Sequence, residues 1–322
     1  MRRAFMHVRK VIIVIICTFL VSMSLYFVGS SQTKRSVTAS SYRKGRSYTL
    51  FVHQKQKINF VKKTNKVKWK SKNKKIATVD KNGIVTAKKV GKVRIQAIYK
   101  HIIYHYIVNV KSRKISKIDC VGDSITYGTG VVQTRSTDAY PVMLKRAFSY
   151  NVTVNNYGMP SYTLQDEGNL PYRSTGYIQR VMSDKPDVII VMLGTNDCKP
   201  INWNKDRYIK EYTALIKQFK GISSHPDVYM MIPPALDLSH VGRKTTISEK
   251  NVNALPGIIK GIAKKTHVHV INLHDVIKGH SEYYFDKVHP NKQGNQKIVK
   301  KIVSALSKEY IFKDQKSKTS KK

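Results

Sequence analysis

Residues 119–130 read DCVGDSITYGTG, and the pattern around this stretch decides the fold of the C-terminal part of the chain. An apolar approach that includes Ile115, Ile118 and Val121 leads into Gly-Asp-Ser and then into a run of threonine and glycine. This pattern predicts a buried strand that ends in a tight turn, with Ser124 at its carboxyl end. Ligands bind at that edge in open α/β sheets. Ser124 is therefore a candidate nucleophile, provided that a base lies close enough to activate its hydroxyl.

Strands and helices are predicted to alternate along the rest of this part of the chain. The predicted strands are 115–121, 152–157, 188–193, 228–232 and 268–273, and the predicted helices are 139–148, 177–184, 207–220, 251–265 and 293–308. The run from Val188 to Leu193 is continuously apolar, which is typical of a parallel strand covered on both faces. The alternation predicts a doubly wound α/β domain with a parallel sheet. Right-handed crossovers would then place the loops that follow the strands on one edge.

Those loops contain the residues that acyl transfer requires. Ser124 follows the first strand, Gly158 the second and Asn196 the third, while Asp286 and His289 lie beyond the fifth. The Asp286 carboxylate can reach one ring nitrogen of His289 and leave the other to act as a general base on Ser124. The backbone N–H groups of Ser124 and Gly158 and the Asn196 amide are predicted to face the developing oxyanion. A glycine at position 158 would let the backbone approach the substrate closely.

Four short blocks, GDSIT, NNYGMPS, GTND and DKVHP, resemble the conserved blocks of the SGNH, or GDSL-type, lipase and acylhydrolase superfamily. The resemblance spans residues 115–312. It implies a flavodoxin-like, three-layer hydrolase fold and a reaction that needs no metal or organic cofactor. The roles that it implies are Ser124 as nucleophile, His289 as general base and acid, Asp286 as the residue that orients His289, and Ser124, Gly158 and Asn196 as the oxyanion hole.

Other residues near these blocks are also candidates for a role in the site. Ser161 stands where the superfamily often has a second glycine, a departure that could alter the loop beside the oxyanion hole. Tyr127 and Trp203 are candidates for substrate binding near the mouth of the site, and ordinary packing is the alternative. His267 and His269 point to one side of a strand, but no third metal ligand accompanies them in the sequence, so we expect solvated or packed side chains.

The region from residue 45 to residue 112 has a different pattern, because its apolar residues alternate with polar ones in seven short segments. This pattern predicts a small all-β sandwich. The run VKWKSKNKKIATVDKNGIVTAKKVGKVRIQA also resembles the bacterial immunoglobulin-like group 2 module. The matching residues are Trp69, Ser71, Asn73, 76–80, 82–83, 85–87, Gly91 and Ile95. The resemblance implies an exposed spacer or adhesion unit without chemistry of its own.

The net charge of the chain is +40, and it is unevenly distributed. Residues 32–117 contain 25 Lys and Arg against one acidic residue, Asp80, which is a net charge of +24. Such a region should attract polyanions. An anionic cell-wall polymer or a lipid surface is a candidate partner, although the lysines could also act only to keep the protein soluble. No nucleic-acid motif is present, so no nucleic-acid partner is expected.

The N-terminal leader predicts export. Basic residues precede Val11–Val28, a run of 18 residues without a charge. A helix of this length spans about 27 Å, close to the roughly 30 Å of a bilayer core. Basic residues before the run keep the N-terminus in the cytoplasm. The run is longer than the apolar part of most signal peptides, which favours a membrane anchor with the rest of the chain outside; a cleaved signal peptide is the alternative.

The sequence thus predicts five segments: a leader (1–31), a linker (32–44), an immunoglobulin-like module (45–112), a hydrolase domain (113–312) and a basic, disordered tail (313–322). Outside the leader there are two cysteines, Cys120 and Cys198, and buried free thiols are favoured over a bridge between them.

The predicted function is that of an exported serine esterase acting on an acylated small molecule or polysaccharide. A small acyl group on a surface polysaccharide is the preferred substrate, and a lysophospholipase or short-chain lipase is the alternative within the same chemistry. A cell-wall-binding adhesin with a vestigial hydrolase domain is the alternative without catalysis.

Overall fold

The structure is a computed structural model that describes residues 42–60, 66–241 and 244–312. The predicted leader, most of the predicted linker and the predicted tail lie outside the described residues. None of the helices in the described ranges combines the length and the apolar character needed to cross a bilayer.

The first seven strands form a small sandwich of two sheets, which confirms the predicted all-β module. The strands are β1 (Tyr42–Phe51), β2 (Lys55–Lys57), β3 (Lys68–Ser71), β4 (Ala77–Val79), β5 (Ile84–Ala87), β6 (Gly91–Tyr99) and β7 (Ile102–Lys111). One sheet has the order β1-β7-β6-β3 and the other β2-β5-β4. Leu50, Val85 and Ile95 are among the residues of the core between the sheets. Asp80 shapes the turn between β4 and β5 by accepting hydrogen bonds from the backbone of Asn82 and Ile84.

Strand β1 begins at Tyr42, three residues before the predicted start of the module. It pairs with β7 in parallel, and the register shifts between Lys44 and Ser47. Gly45 lies in this irregularity, where a Cβ atom would come within 2.6 Å of the Tyr106 ring. The irregularity interrupts the period-two alternation by which strands are recognised in a sequence. The first residues of β1 therefore look like a linker in the sequence, although their backbone belongs to the sheet.

The C-terminal domain is built on a parallel sheet of five strands, as predicted. These are β8 (Lys117–Gly122), β9 (Thr153–Gly158), β10 (Val188–Met192), β11 (Asp227–Ile232) and β12 (His269–Asn272), in the order β12-β11-β10-β8-β9. The strand order reverses beside β8, the first strand of the domain. In doubly wound sheets the crevice at that point holds the ligand, so the fold places the carboxyl end of β8 at the expected binding edge.

Helices cover both faces of this sheet and complete the predicted three layers. They are α1 (Ser124–Tyr127), α2 (Arg135–Asp138), α3 (Tyr140–Arg146), α4 (Tyr177–Asp184), α5 (Lys205–Lys220), α6 (Glu249–Thr266) and α7 (Lys292–Leu306). All five residues of β10 are buried. Their side chains divide between two apolar clusters, one on each face of the sheet. The continuous apolar run that predicted this strand is thus explained by its burial on both sides.

The sandwich and the hydrolase domain meet where the chain passes from one to the other. The backbone N–H of Arg113 donates to the backbone carbonyl oxygen of Glu309 at 2.9 Å, and the Arg113 guanidinium lies 2.7 Å from the Asp227 carboxylate. His53 of the sandwich lies 2.9 Å from the Glu309 carboxylate. These contacts tie the end of the hydrolase domain to both the connecting segment and the sandwich.

Candidate active site

Ser124 lies at the carboxyl end of β8, at the first position of the short helix α1. Asp123 caps this helix by accepting a hydrogen bond from the backbone N–H of Ile125 at 3.0 Å. A side chain on Gly122 would collide with Thr126 and with the carbonyl oxygen of Met192. The glycine therefore lets β8 turn tightly into α1. This turn presents the Ser124 hydroxyl at the rim of the sheet, where the residue is 6% exposed.

His289 and Asp286 lie in the loop before α7, and the structure brings both to Ser124. The Nε2 atom of His289 is 2.9 Å from the Ser124 hydroxyl oxygen. Its Nδ1 atom is 2.8 Å from one carboxylate oxygen of Asp286 and 3.0 Å from the other. The three side chains thus form one hydrogen-bonded series, carboxylate to imidazole to hydroxyl. This is the arrangement by which a serine is activated for attack on a carbonyl carbon.

The loop that contains Asp286 and His289 is held in place by hydrogen bonds to its own backbone groups. Asp286 accepts hydrogen bonds from the N–H groups of Val288 and His289, both at 2.8 Å. The N–H of Phe285 donates to the His289 carbonyl oxygen at 2.8 Å. The Asp286 carboxylate therefore fixes the turn as well as the imidazole, so that the ring is oriented before any substrate arrives.

The same contacts set the pKa of Asp286. Burial alone would raise it, but the hydrogen bonds from the His289 ring and from the two backbone N–H groups lower it to about 2. Because the folded chain binds this proton less tightly than the unfolded chain, the carboxylate stabilises the fold above pH 3.8, its ordinary pKa. The contribution is lost as the pH falls from 3.8 towards 2.

This shift predicts an acid-dependent loss of stability. At pH 7, Asp286→Asn should lower the free energy of unfolding of the hydrolase domain by about 2 kcal/mol, and the difference from wild type should shrink towards pH 2. Urea unfolding can be followed by the fluorescence of Trp203 in a Trp69→Phe background, since the chain has two tryptophans. A difference that stays constant with pH would mean that the Asp286 carboxylate does not carry the effect.

Two of the three predicted oxyanion donors have protein acceptors in the structure. The N–H of Gly158 donates to the side-chain oxygen of Asn156 at 2.9 Å, and the Asn196 amide donates to the carbonyl oxygen of Tyr162 at 3.1 Å. An amide nitrogen carries two hydrogens, so Asn196 retains one that Tyr162 does not use. Gly158 can serve an oxyanion only if the Asn156 side chain turns away. Their roles as an oxyanion hole stay a prediction.

Gly158 has a different reason to be glycine from the one inferred from the sequence. A Cβ atom at this position would collide with the backbone of Thr126 and Tyr127 in α1. The residue thus permits β9 to pack against α1, the helix that begins with Ser124. The close approach is to the protein's own backbone, and it positions Ser124 indirectly.

Ser161 adopts the backbone conformation that glycine takes most readily. Its φ angle is +73°, in the left-handed region where a Cβ atom costs free energy. Serine therefore stands, where a glycine was expected, in a backbone conformation that favours glycine. The effect of serine at position 161 is thus a strained backbone.

Ser161→Gly should consequently stabilise the hydrolase domain by about 0.5 kcal/mol, because it relieves that strain and removes a side chain that is exposed. Urea unfolding followed by Trp203 fluorescence measures the change. Ser183→Gly is the matched control, since Ser183 lies inside α4, where glycine should destabilise by about 0.5–1 kcal/mol. Equal destabilisation by both substitutions would refute the strain at Ser161.

A cleft of about 470 Å³ opens over the side chains of Ser124, Asp286 and His289. It is lined largely by polar residues, and three of them are lysines: Lys199, Lys244 and Lys287. Its apolar residues are Pro160, Ile247, Phe285 and Val288. No motif in the sequence marks these lysines as part of the site. They come from separate loops, and only the fold shows that these loops converge.

Tyr127 and Trp203 are not among the residues that line this cleft. The Tyr127 ring lies beneath the Arg135 guanidinium, 3.8 Å from ring centroid to carbon. Trp203 packs on the apolar core beside Tyr208, with 5.8 Å between the ring centroids. The structure thus places both rings in packing contacts, and a role for them in substrate binding stays a prediction.

Three further residues in or next to the sequence blocks are buried: Asp197, Cys120 and Cys198. Asp197 accepts hydrogen bonds from the backbone N–H groups of Leu164 and Gln165, both at 2.9 Å, and thereby joins two loops at the rim. Burial raises its pKa to about 6. Cys120 and Cys198 are both buried and unpaired. None of the three is among the residues that line the cleft.

Among the described residues, His53, His269 and Glu309 form a set that could hold a metal ion, with ligand atoms within 4.8 Å of one another. His269 begins β12, whereas Ser124 follows the end of β8. In a parallel sheet these are opposite edges, so this set is not part of the catalytic site. Its members were missed as a group because His53 and Glu309 are 256 residues apart.

Comparisons with known proteins agree with this architecture. Residues 120–297 match the model of the GDSL-like lipase/acylhydrolase family, and residues 32–102 match that of the bacterial Ig-like domain, group 2. An acetylxylan esterase from Xylanibacter ruminicola is 25% identical over 210 residues, which are 59% of this chain and 43% of that protein. The match therefore covers less than half of the relative's length.

Solved structures show the same fold at low sequence identity. The aryl esterase of M. smegmatis superposes with a TM-score of 0.52 and 19% identity, covering 60% of this chain and 99% of that one. A carbohydrate acetylesterase family member from Sinorhizobium meliloti gives a TM-score of 0.51 and 17% identity, covering 59% and 97%. With the matching family model, and as its four sequence blocks predicted, the chain belongs to the GDSL-like lipase/acylhydrolase family.

Proposed function

We propose that this protein is an exported serine esterase that removes small acyl groups, acetyl above all, from a carbohydrate. The observation that carries the proposal is the series of hydrogen bonds from Asp286 through His289 to Ser124 at the rim of the sheet. Membership of a family of lipases and acylhydrolases supports the ester as the bond that is cleaved.

The first half of the reaction acylates the enzyme. As the Ser124 oxygen attacks the carbonyl carbon, its proton passes to Nε2 of His289, and the Asp286 carboxylate stabilises the imidazolium through Nδ1. The hydrogen-bond donors available to the oxyanion are the backbone N–H of Ser124 and the second hydrogen of the Asn196 amide. His289 then gives the proton to the sugar oxygen, which leaves as an alcohol.

The second half releases the acyl group. Water takes the place of the alcohol, His289 removes one of its protons, and the hydroxyl attacks the acyl carbon. The bond to Ser124 breaks, the serine regains its proton from His289, and the carboxylic acid departs. Every proton is carried by His289, so the protein needs no other acid or base.

The cleft favours a small acyl group on a polar partner. Most of the residues that line the cleft are polar, and only four are apolar. Similarity to an acetylxylan esterase supports acetyl as the acyl group and a polysaccharide as the alcohol. A lysophospholipase or short-chain lipase is the alternative within the same chemistry, and its longer acyl chain would have to be held by those four apolar residues.

The test is an acyl-length series. Rates on p-nitrophenyl acetate, butyrate and octanoate should fall with chain length, and acetate should be released from acetylated xylan but not from a diacylglycerol. A rate that rises towards octanoate would favour the lipase. Turnover of no ester, together with binding to a wall polymer, would favour the adhesin with a vestigial hydrolase domain.

Export rests on the leader, whose basic residues and apolar run precede the described part of the chain. The hydrolase domain should then face the exterior, where acylated wall and environmental polysaccharides are found. Digestion of intact source cells with a protease should remove the esterase activity. Activity that resists the protease until the cells are lysed would contradict export.

A further inference from the structure

A basic concavity of about 560 Å³ lies on the sandwich. We call it the basic groove and define it by its lining residues: Arg43, Lys44, Lys72, Arg94, Gln96, His105 and Ile107. These residues come from all four strands of the sheet β1-β7-β6-β3 or from positions next to them. The side chains that alternate with Arg94 and His105, such as Ile95 and Tyr106, are buried in the core. The groove therefore crosses the outer face of this sheet.

The register of the sheet explains why the cations converge. Lys44 of β1 pairs with His105 of β7, which in turn pairs with Gln96 of β6. One row further along, Arg94 pairs with Ile107, and the backbone N–H of Lys72 donates to the Arg94 carbonyl oxygen at 3.0 Å. Neighbouring strands are about 4.8 Å apart, so cations in these rows lie within reach of one ligand. Gln96, 6% exposed, lies deeper than the exposed cations around it.

No carboxylate in the described residues forms an ion pair with the four cations of the groove. The only acidic residue between positions 32 and 117 is Asp80. It lies in the turn between β4 and β5 of the other sheet, where backbone N–H groups occupy its carboxylate. The groove cations thus repel one another without compensation, an arrangement that costs stability unless an anion is bound.

The titration of His105 is consistent with this potential. Its pKa is lowered by burial and by the positive charges of Arg94 and Lys72. A lowered imidazole pKa is expected wherever neighbouring cations oppose a further positive charge. The positive potential of Lys72 and Arg94 therefore extends into the groove as far as His105.

The shape and lining of the groove distinguish among polyanions. Single-stranded nucleic acids are held by aromatic side chains on which bases stack, and no residue that lines the groove is a phenylalanine, tyrosine or tryptophan. A bilayer presents a broad surface, whereas a concavity admits a chain. Two arginines offer planar forks that fit carboxylate and phosphate groups, and the Gln96 amide suits hydroxyl groups. We propose that the basic groove binds one strand of a linear anionic polysaccharide through its carboxylate or phosphate groups.

Binding at the groove would raise the local concentration of polymer around the catalytic domain, because both belong to one chain. The esterase reaction does not depend on it for chemistry. Removal of the groove cations should therefore weaken action on an acetylated anionic polymer and leave turnover of p-nitrophenyl acetate unchanged. The two measurements therefore test the groove and the proposed esterase function independently, because either proposal can fail while the other stands.

The test compares two double variants that remove the same charge. Lys72→Gln/Arg94→Gln alters the groove, whereas Lys88→Gln/Lys89→Gln alters two exposed lysines between β5 and β6, outside it. The full chain, carrying Ser124→Ala so that no polymer is consumed, is titrated with polygalacturonate, a carboxylated polysaccharide, and with phosphomannan, a phosphorylated one. The groove variant should bind the preferred polymer about tenfold more weakly, as expected for the loss of a charged hydrogen-bonded contact. The control should change less than about twofold.

The two polymers distinguish carboxylate from phosphate as the recognised group, and the one that binds more tightly identifies it. Neutral dextran should not bind. Equal losses in both double variants would mean diffuse attraction by net charge and would overturn the groove, as would unchanged binding in the groove variant. Tighter binding of a single-stranded oligonucleotide or of anionic vesicles would overturn the polysaccharide as partner. Thermal unfolding checks the fold, and the groove variant should be at least as stable as wild type at low salt.

Discussion

Ser124→Ala should lower kcat/KM for p-nitrophenyl acetate by a factor of about 10⁴ or more. The hydroxyl is the atom that Nε2 of His289 contacts at 2.9 Å, and no other hydroxyl lies in that series of hydrogen bonds. Without it no acyl-enzyme forms, and the remaining rate is that of water attacking a bound ester. The fold should be unaffected, because the Ser124 side chain fills little space at the rim and alanine is tolerated in α1.

Ser161→Ala is the matched control, since Ser161 is a second serine that lines the same cleft but contacts neither His289 nor Asp286. Its rate should stay within a few-fold of wild type. A fluorophosphonate probe, which reacts only with an activated serine, should label wild type and Ser161→Ala and fail to label Ser124→Ala. Labelling of the Ser124 variant, or a rate equal to wild type, would place the nucleophile elsewhere.

The parts of the fold that the sequence predicted are those in which local pattern and burial coincide. The apolar run from Val188 to Leu193 predicted a strand covered on both faces, and β10 is fully buried. Alternating strands and helices predicted one parallel sheet, and parallel winding alone put Ser124, Asn196 and His289 on one edge. The juxtaposition of serine and histidine, 165 residues apart, follows from topology rather than from any local signal.

What the sequence could not provide are contacts set by side-chain packing between loops. The hydrogen bonds of Asn156 to Gly158 and of Asn196 to Tyr162 depend on rotamers that no spacing encodes. The three lysines of the cleft come from loops whose convergence depends on the whole domain. The strained conformation of Ser161 could have been inferred from the glycine expected at that position, since glycine is the usual residue where the backbone must be left-handed.

The contacts between the two domains could likewise not be predicted from the sequence. His53 lies in a turn of the sandwich, and Glu309 follows the last helix of the hydrolase domain. Their contact at 2.9 Å is one of a few side-chain contacts across the junction. Composition revealed the positive charge of the sandwich, but the concentration of that charge in one groove depends on the register between β1, β7 and β6. Net charge predicts attraction to polyanions, whereas strand pairing determines where they can be held.

Asp286→Asn should lower kcat by a factor of about 10³–10⁴ while KM changes little. The asparagine oxygen can still accept the backbone N–H groups of Val288 and His289, so the turn should persist. Its amide, however, would donate to Nδ1 of His289, which forces the ring proton onto Nε2. The atom that must accept the proton of Ser124 would then already carry one. The loss thus arises from the wrong tautomer and from the missing negative charge beside the imidazolium.

A second aspartate–histidine pair of the same domain provides the control. Asp275 lies 3.1 Å from Nδ1 of His274, whose Nε2 is 3.1 Å from Asn253 and not from a serine. Asp275→Asn removes the same charge from a similar pair, so an effect on kcat of less than about twofold is expected. Equal losses in both variants would indicate a general effect of charge on the domain. A selective loss at Asp286 requires that its carboxylate acts through His289 on the serine, because that series of contacts is what distinguishes the two pairs.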